Sequence, residues 1–310
     1  MSNIPKDCNL LGWDVGGTKS SAVVASQNGE IFDRQTWPSH AKKGPEAMIE
    51  DFILHARELV NKYPSIRKVG VSIGGPLDVG KGIIKSPPHL PGWDNIPLAE
   101  ILSKKLCLSV TVEHDAAACL EAEWLWGAAK GKTHAIYLTC GTGCGAGIMI
   151  NNRILRGPDG QTPEVGHVRI APDGPGSFGK SGCVESFCSG TGISKLAHFM
   201  FPETFSQPLS AKELRDLADA GDKSAQAVLR ESAVRTGQVC AMLGDIFCPQ
   251  IIILGSMARY FPKWWLEIVI KEFALEALPI NSEHTIITAA ALGETLQDLS
   301  AVAPCVFQQL

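Results

Sequence analysis

Two stretches of this chain share one layout, and that repeat limits the possible folds more than any other feature. Leu10-Leu11-Gly12-Trp13-Asp14 runs through Val15-Gly16-Gly17-Thr18-Lys19 into Ser20-Ser21-Ala22-Val23-Val24-Ala25. Apolar residues flank a glycine pair in a polar turn, the pattern of two strands joined by a tight hairpin. Ala135 to Cys140, the turn Gly141 to Gly145, and Ala146 to Ile150 repeat it. An internal duplication of this kind predicts two similar halves facing each other across a cleft, with one phosphate-binding hairpin from each wall.

The segments between and after the hairpins fit an α/β chain. Ile31 to Trp37 reads as a third strand, and Met48, Phe52, Ile53, Ala56 and Val60 have helical spacing between Pro45 and Pro64. Val69 to Ile73 is a buried strand closed by Gly74-Gly75-Pro76, and Gly80 to Pro97, rich in Pro and Gly, reads as loop. Leu98 to Leu106 is a helix, Ser109 to Glu113 a strand, and Ala116 to Ala129 a helix. After the second hairpin, Gly157 to Ser181 has little helix or strand signal, and an irregular stretch of that length is usually functional. The remainder reads as mainly helical, with short strands at Ile251 to Leu254 and Thr285 to Ala289. The expected division lies near Ala116: domains 1–116 and 117–292, with a terminal helix, 293–310, packing back on the first.

With 45% hydrophobic and 19% charged residues in 310, a large core is expected. The net charge of -4 argues against a nucleic-acid or anionic-membrane surface. No apolar run approaches the ~18 residues of a membrane span. Lys6, Asp7 and Asn9 stand where a signal peptide needs an apolar core, so a cytoplasmic protein is expected. Ten cysteines then read as free thiols rather than a disulfide framework, most of them (Cys107, Cys119, Cys140 and Cys240 among them) as buried small hydrophobes.

Four groups of residues carry chemistry. In Asp14-Val15-Gly16-Gly17-Thr18-Lys19 the glycines let backbone approach an anion, and Thr18 and Lys19 can donate to phosphate oxygens. Asp14, at the strand end, can orient magnesium through water. The bland alternative is a plain hairpin turn, and the second glycine turn, Gly141-Thr142-Gly143, weighs against it. No Gly-Lys-Ser/Thr opens a helix, so this is not a Walker A loop. Asp115 follows the apolar run Val110-Thr111-Val112 and precedes a helix, a place that suits a general base taking a proton from a hydroxyl; it equally suits a helix cap. Glu164, His167 and Glu185 lie in or beside the Gly/Pro-rich stretch and can hold sugar hydroxyls.

Together these motifs resemble the ROK family (repressor, open reading frame, kinase) of the sugar kinase/actin/Hsp70 superfamily, over most of the chain and in family order. Gly74-Gly75-Pro76-Leu77-Asp78 looks like the family's Pro-Gly-x-Val-Asp segment, and Leu90-Pro91-Gly92-Trp93 like another shared stretch. Glu113-His114-Asp115-Ala116-Ala117 falls where the family has Glu-Asn-Asp-Ala-Asn. Glu164-Val165-Gly166-His167, Gly182-Cys183-Val184-Glu185 and the turn Ile252-Ile253-Leu254-Gly255 are similar to the family's signature and adenosine-side segments. The resemblance implies two actin-like (ribonuclease H-like) domains with mixed sheets around a central cleft. It implies an ATP- and magnesium-dependent hexose or N-acetylhexosamine kinase, often a homodimer. Asp115 would be the base; Gly75, Pro76, His114, Glu164, His167 and Glu185 would contact sugar. Asp14, Gly16, Gly17, Thr18, Lys19, Gly141, Thr142, Gly143 and Gly255 would hold ATP.

Three departures stand out. The family's zinc motif has two cysteines where this chain has Gly176 and Phe178. Only Cys183 and His167 remain, so no structural zinc is expected and Phe178 is expected to bury its ring in that place. His114 replaces the sugar-contacting Asn, and His89 replaces an Asn before Leu90. Two other readings follow from the family: a sugar-binding protein that has lost catalysis, and a sugar-responsive transcriptional regulator. The stretch before Asp14 is too short for a DNA-binding domain.

Overall fold

The computed structural model describes residues 9–88, 90–158 and 160–308; His89 lies outside them. The chain forms two compact units, one of residues 1–130, 155–162 and 294–310, the other of 131–154 and 163–293. Among the described residues no helix is long and apolar enough to cross a membrane.

In the first unit, β1 (Leu10–Val15), β2 (Lys19–Ala25) and β3 (Ile31–Pro38) form an antiparallel meander. Helix α1 (Pro45–Lys62) leads to β4 (Lys68–Ile73), which pairs with β1 in parallel. After it comes a small antiparallel sheet of β5 (Leu77–Asp78), β6 (Ile83–Lys85) and β7 (Asp94–Ile96), the last two within Gly80 to Pro97, which was expected as loop. Strands of two or three residues are too short to show a period of two, which is why the sequence hides them. Helix α2 (Leu98–Leu106), β8 (Ser109–His114) and α3 (Asp115–Trp126) follow, and β8 completes the main sheet in the order β3-β2-β1-β4-β8.

The central strands β1 and β4 are buried almost throughout, as parallel strands covered on both faces must be. On one face Trp13 stacks on Phe52 of α1 at 4.3 Å between rings. On the other lies the C-terminal helix (Leu296–Phe307). It comes close because β1 and β4 carry glycine beneath it: a Cβ on Gly12 would stand 2.8 Å from the Ala301 Cβ, and one on Gly70 2.1 Å from the Ala301 carbonyl oxygen.

The second unit repeats the plan. Strands β9 (Ala135–Leu138), β10 (Ala146–Ile150) and β11 (Arg153–Ile154) form the meander. An irregular stretch with the hairpin β12 (Gly176–Ser177) and β13 (Lys180–Ser181) follows. Then come α4 (Val184–Cys188), α5 (Gly190–Met200), α6 (Ala211–Asp219) and the long α7 (Lys223–Phe247). Strand β14 (Ile251–Leu254), α8 (Ser256–Tyr260), α9 (Lys263–Glu276), α10 (Pro279–Ser282) and β15 (Ile286–Ala289) complete it. The sheet order β11-β10-β9-β14-β15 has the same sequence of antiparallel and parallel pairs as the first sheet. The duplication seen in the glycine hairpins is therefore a duplication of the whole sheet.

Among the described residues nine cysteines are free, and seven of them are buried. Cys107, expected inside, is exposed: it ends α2 in a left-handed backbone conformation.

Candidate active site

In an open sheet, ligands bind outside the carboxyl ends of the parallel strands. The register of the first unit brings its motifs to that edge. Asp14 pairs with Ser72 and Ser72 with Glu113, so β1, β4 and β8 end level. Beyond those ends lie Gly16 to Lys19, Gly74 to Pro76, and His114-Asp115.

The first glycine turn is tight. A Cβ on Gly16 would lie 2.5 Å from the Lys19 carbonyl oxygen. Ser39, which no sequence signal marked, braces both ends: its hydroxyl donates to the Gly16 carbonyl at 2.5 Å and its N–H to the Thr18 carbonyl at 3.0 Å. Gly17, Thr18 and Lys19 stay exposed at the tip. Beneath them the Asp14 carboxyl is pushed up to about 7, first by burial, then by the charges of Asp115 and Asp298; Arg34 and Lys19 oppose this. Asp298, in the C-terminal helix, pairs with Arg34 Nε at 3.1 Å. It too escaped the sequence reading, because its neighbours lie at the other end of the chain.

Asp115 opens α3. Its Oδ1 accepts the Ala116 N–H at 2.6 Å, satisfying one amide of the helix's first turn, yet the side chain is 49% exposed and stays open to a proton donor; the N-cap position itself is His114. His114 is buried beside it, with Nδ1 3.4 Å from Asp115 Oδ1. A Cβ on Gly75 would stand 2.9 Å from the His114 ring. Gly75, from the loop after β4, and His114 and Asp115, from the junction of β8 and α3, therefore form one group.

The second unit gathers the other set. Gly190 N–H donates to the Gly141 carbonyl at 2.7 Å, and the Thr191 hydroxyl to the Thr142 carbonyl at 2.8 Å, so the start of α5 holds the second glycine turn. Gly255 packs against the end of β9: a Cβ there would meet the Tyr137 hydroxyl at 2.8 Å and Cys140 N at 3.1 Å. The turn 164–167 sits on the same loop, since a Cβ on Gly166 would be 2.0 Å from the Cys144 carbonyl oxygen. Glu185, in the first turn of α4, accepts the Cys144 N–H at 3.1 Å on Oε2 and the Ser177 hydroxyl at 2.6 Å on Oε1. It braces the glycine turn, and each oxygen keeps a further lone pair for a ligand. A bond with the Cys140 thiol, with burial, pushes the Cys144 thiol up.

His167 stacks on Phe178 with ring centroids 4.3 Å apart. Phe178 is 46% exposed, so it does not bury its ring as expected. A phenyl ring has no partner for its edge in this hairpin, and the imidazole face covers only one side. Among the described residues no group of three His, Cys, Asp or Glu side chains is placed to hold a metal ion. For magnesium arriving with a nucleotide the fit is better: Asp14 offers a carboxylate at the sheet edge beneath exposed backbone amides.

Comparison with known proteins agrees with this layout. The ROK family pattern matches residues 10–297. The chain is 32% identical to the glucokinase of Thermotoga maritima, over 80% of this chain and 81% of that protein. Its fold is similar to the ROK hexokinase from Thermus thermophilus, with a TM-score of 0.82 and 30% identity, covering 95% of this chain and 97% of that one. It is also similar to a ROK family glucokinase from Streptomyces griseus in complex with glucose and AMPPNP, with a TM-score of 0.79 and 28% identity over 94% and 97% of the two chains. The actin-like α/β fold expected from the sequence stands with these neighbours.

Proposed function

The chain belongs to the ROK family, and from that premise we propose that it is an ATP-dependent sugar kinase phosphorylating the primary hydroxyl of a hexose or N-acetylhexosamine. The observation that carries this reading is the level ending of β1, β4 and β8, with Asp14, Gly75, His114 and Asp115 at one edge. The glucokinase relative and the neighbour bound to glucose and AMPPNP support both ligand classes.

Asp115 acts as general base. Its exposed carboxylate accepts the hydroxyl proton as that oxygen bonds to the γ-phosphorus of ATP and the bond to the bridging oxygen of ADP breaks. His114 and the Gly75-Pro76 backbone would contact the sugar, and Glu164, His167 and Glu185 carry acceptors suited to its hydroxyls. The backbone of Gly16 and Gly17, with Thr18 and Lys19, would hold phosphate oxygens; in the second glycine turn Thr142 is the exposed residue, the Gly141 and Cys144 amides being already bonded. Magnesium bound with ATP would neutralise charge on the phosphate oxygens, and Asp14 is the carboxylate placed to face it. Phosphoryl transfer relies on positioning and charge neutralisation, so the turns should matter as much as the base.

The test is ADP release over a panel of glucose, N-acetylglucosamine, N-acetylmannosamine and fructose, for wild type and Asp115→Asn. Loss of a general base typically costs about 100- to 10,000-fold. Asn keeps the side chain's size, so sugar binding, followed by calorimetry, should persist. A kcat in D115N near that of wild type would reduce Asp115 to a helix cap.

A further inference from the structure

One buried charge cluster is left unused by this mechanism, and it lies directly behind Asp115. Glu113, in β8, is fully buried. Its Oε1 accepts the His114 N–H at 2.8 Å and Arg156 Nη1–H at 2.9 Å, and its Oε2 accepts Arg156 Nη2–H. One carboxylate thus receives a two-pronged guanidinium and the backbone amide of the residue before Asp115. Glu121, buried on α3, faces the same carboxylate; burial and the Glu113 charge hold its carboxyl well above the ordinary range.

Arg156 stands in a segment with its own structure. The Gly157 N–H donates to the Gln161 carbonyl at 2.8 Å and the Gly160 N–H to the Gly157 carbonyl at 3.0 Å. A Cβ on Gly160 would stand 3.1 Å from Val79 N, so this turn rests on the Asp78-Val79 backbone. Arg156 therefore joins a turn seated after Gly75-Pro76 to the strand end that carries His114 and Asp115.

We propose that Arg156 and Glu113 are positioning residues: the forked pair fixes the His114-Asp115 backbone and so sets where the Asp115 carboxylate stands. The proposal rests on Asp115 being the base. A buried ion pair alone is weak evidence for stability, since an apolar pair of similar volume often serves as well. An apolar pair could not accept the His114 N–H or impose a planar fork on the junction. That difference separates a positioning role from a packing role.

The experiment uses the full chain with R156M, R156K and the double variant R156M/E113Q. R156M leaves the Glu113 charge alone and buried, so the double variant guards against simple unfolding. A small displacement of a reacting group can cost about 100-fold. The expected result is a fall in kcat of about 10- to 100-fold in R156M and in the double variant, with KM for ATP within about twofold of wild type. R156K, which keeps the charge but not the fork, should remain well below wild type. Amide exchange in ligand-free protein, which needs no turnover, should quicken over residues 109–116 and 155–162 in R156M and stay unchanged over 251–254. A folded double variant with wild-type kcat, or exchange that quickens everywhere alike, would overturn the proposal. A wild-type protein that phosphorylates no sugar in the panel would instead remove the base assignment, and the exchange pattern would then decide alone whether Arg156 holds the junction.

Discussion

Asp14→Asn should stabilise the ligand-free protein at pH 8, and by clearly less at pH 5. In the folded chain the Asp14 carboxyl is raised from 3.8 to about 7 by burial and by the charges of Asp115 and Asp298. The folded state therefore holds this proton more tightly than the unfolded chain. Stability from this group is fully present below about 4 and falls as pH rises towards 7, since the slope follows the protons bound in the unfolded minus the folded state. The shift corresponds to about 4 kcal/mol at about 1.4 kcal/mol per tenfold. Asp14 keeps some contact with solvent, which screens it, so about 2 kcal/mol is a fair expectation for the observable share. Asn has the same shape without the charge. Melting curves at pH 5 and pH 8, without nucleotide or magnesium, give the double difference; about two-thirds of the loss falls in that window, so about 1.3 kcal/mol, a few degrees in melting temperature, is expected. Asp298 is raised as well, and its charge is one of the causes that raise Asp14, so part of the gain in D14N comes from relieving that pair. A D14N protein no more stable than wild type at pH 8 would refute the reasoning. Gain in stability with loss of turnover is the pattern expected of a charge kept for function.

Two further substitutions probe the sugar side. Glu164→Gln should raise KM for sugar and leave KM for ATP alone, whereas Glu185→Gln should raise both, because Glu185 also accepts the Cys144 N–H of the second glycine turn; equal kinetic patterns for the two variants would contradict the difference in their partners. His114→Asn should change the ratio of kcat/KM values across the hexose panel, since the imidazole fills the space against Gly75 with a different donor geometry; an unchanged ratio would mean the ring faces away from sugar.

What the sequence disclosed, and what it hid, follows from distance along the chain. Gly16-Gly17 and Gly141-Thr142-Gly143 were legible because a hairpin announces itself within fifteen or so residues of apolar run, glycine turn and apolar run. Asp115 was legible because a strand-like run ends on it and a helix begins. Ser39, Asp298 and the Glu113–Arg156 pair were not. Each acts through a partner brought near only by tertiary folding; Arg156 is 43 residues from Glu113 and Ser39 is 23 from Gly16. No local period marks such a residue. The β5-β6-β7 sheet was hidden for the opposite reason: it is local, but its strands are too short for alternation to show.

Where the family's motif has two cysteines, Gly176 and Phe178 stand in a hairpin that other contacts must hold. Gly176 and Phe178 lie in the β12-β13 hairpin, and Phe178 and Gly179 both have positive φ, 48° and 78°. A bulky residue in that region is strained, so the hairpin must be held from outside. The Lys195 ammonium donates to the Gly176 carbonyl at 3.0 Å, the Ser186 hydroxyl to the Pro175 carbonyl at 2.8 Å, and Ile170 N–H to the Gly182 carbonyl at 2.9 Å. Ser177, between the two substituted positions, donates to Glu185, whose other oxygen holds the second glycine turn. Phe178 in turn covers one face of His167. An aromatic face fixes the plane of the imidazole but leaves both ring nitrogens free to exchange a hydrogen bond with a hydroxyl, which a nitrogen bound to metal could not do. The same hairpin therefore orients His167 by stacking and Glu185 by a hydroxyl bond, and the second glycine turn is tied to Glu185.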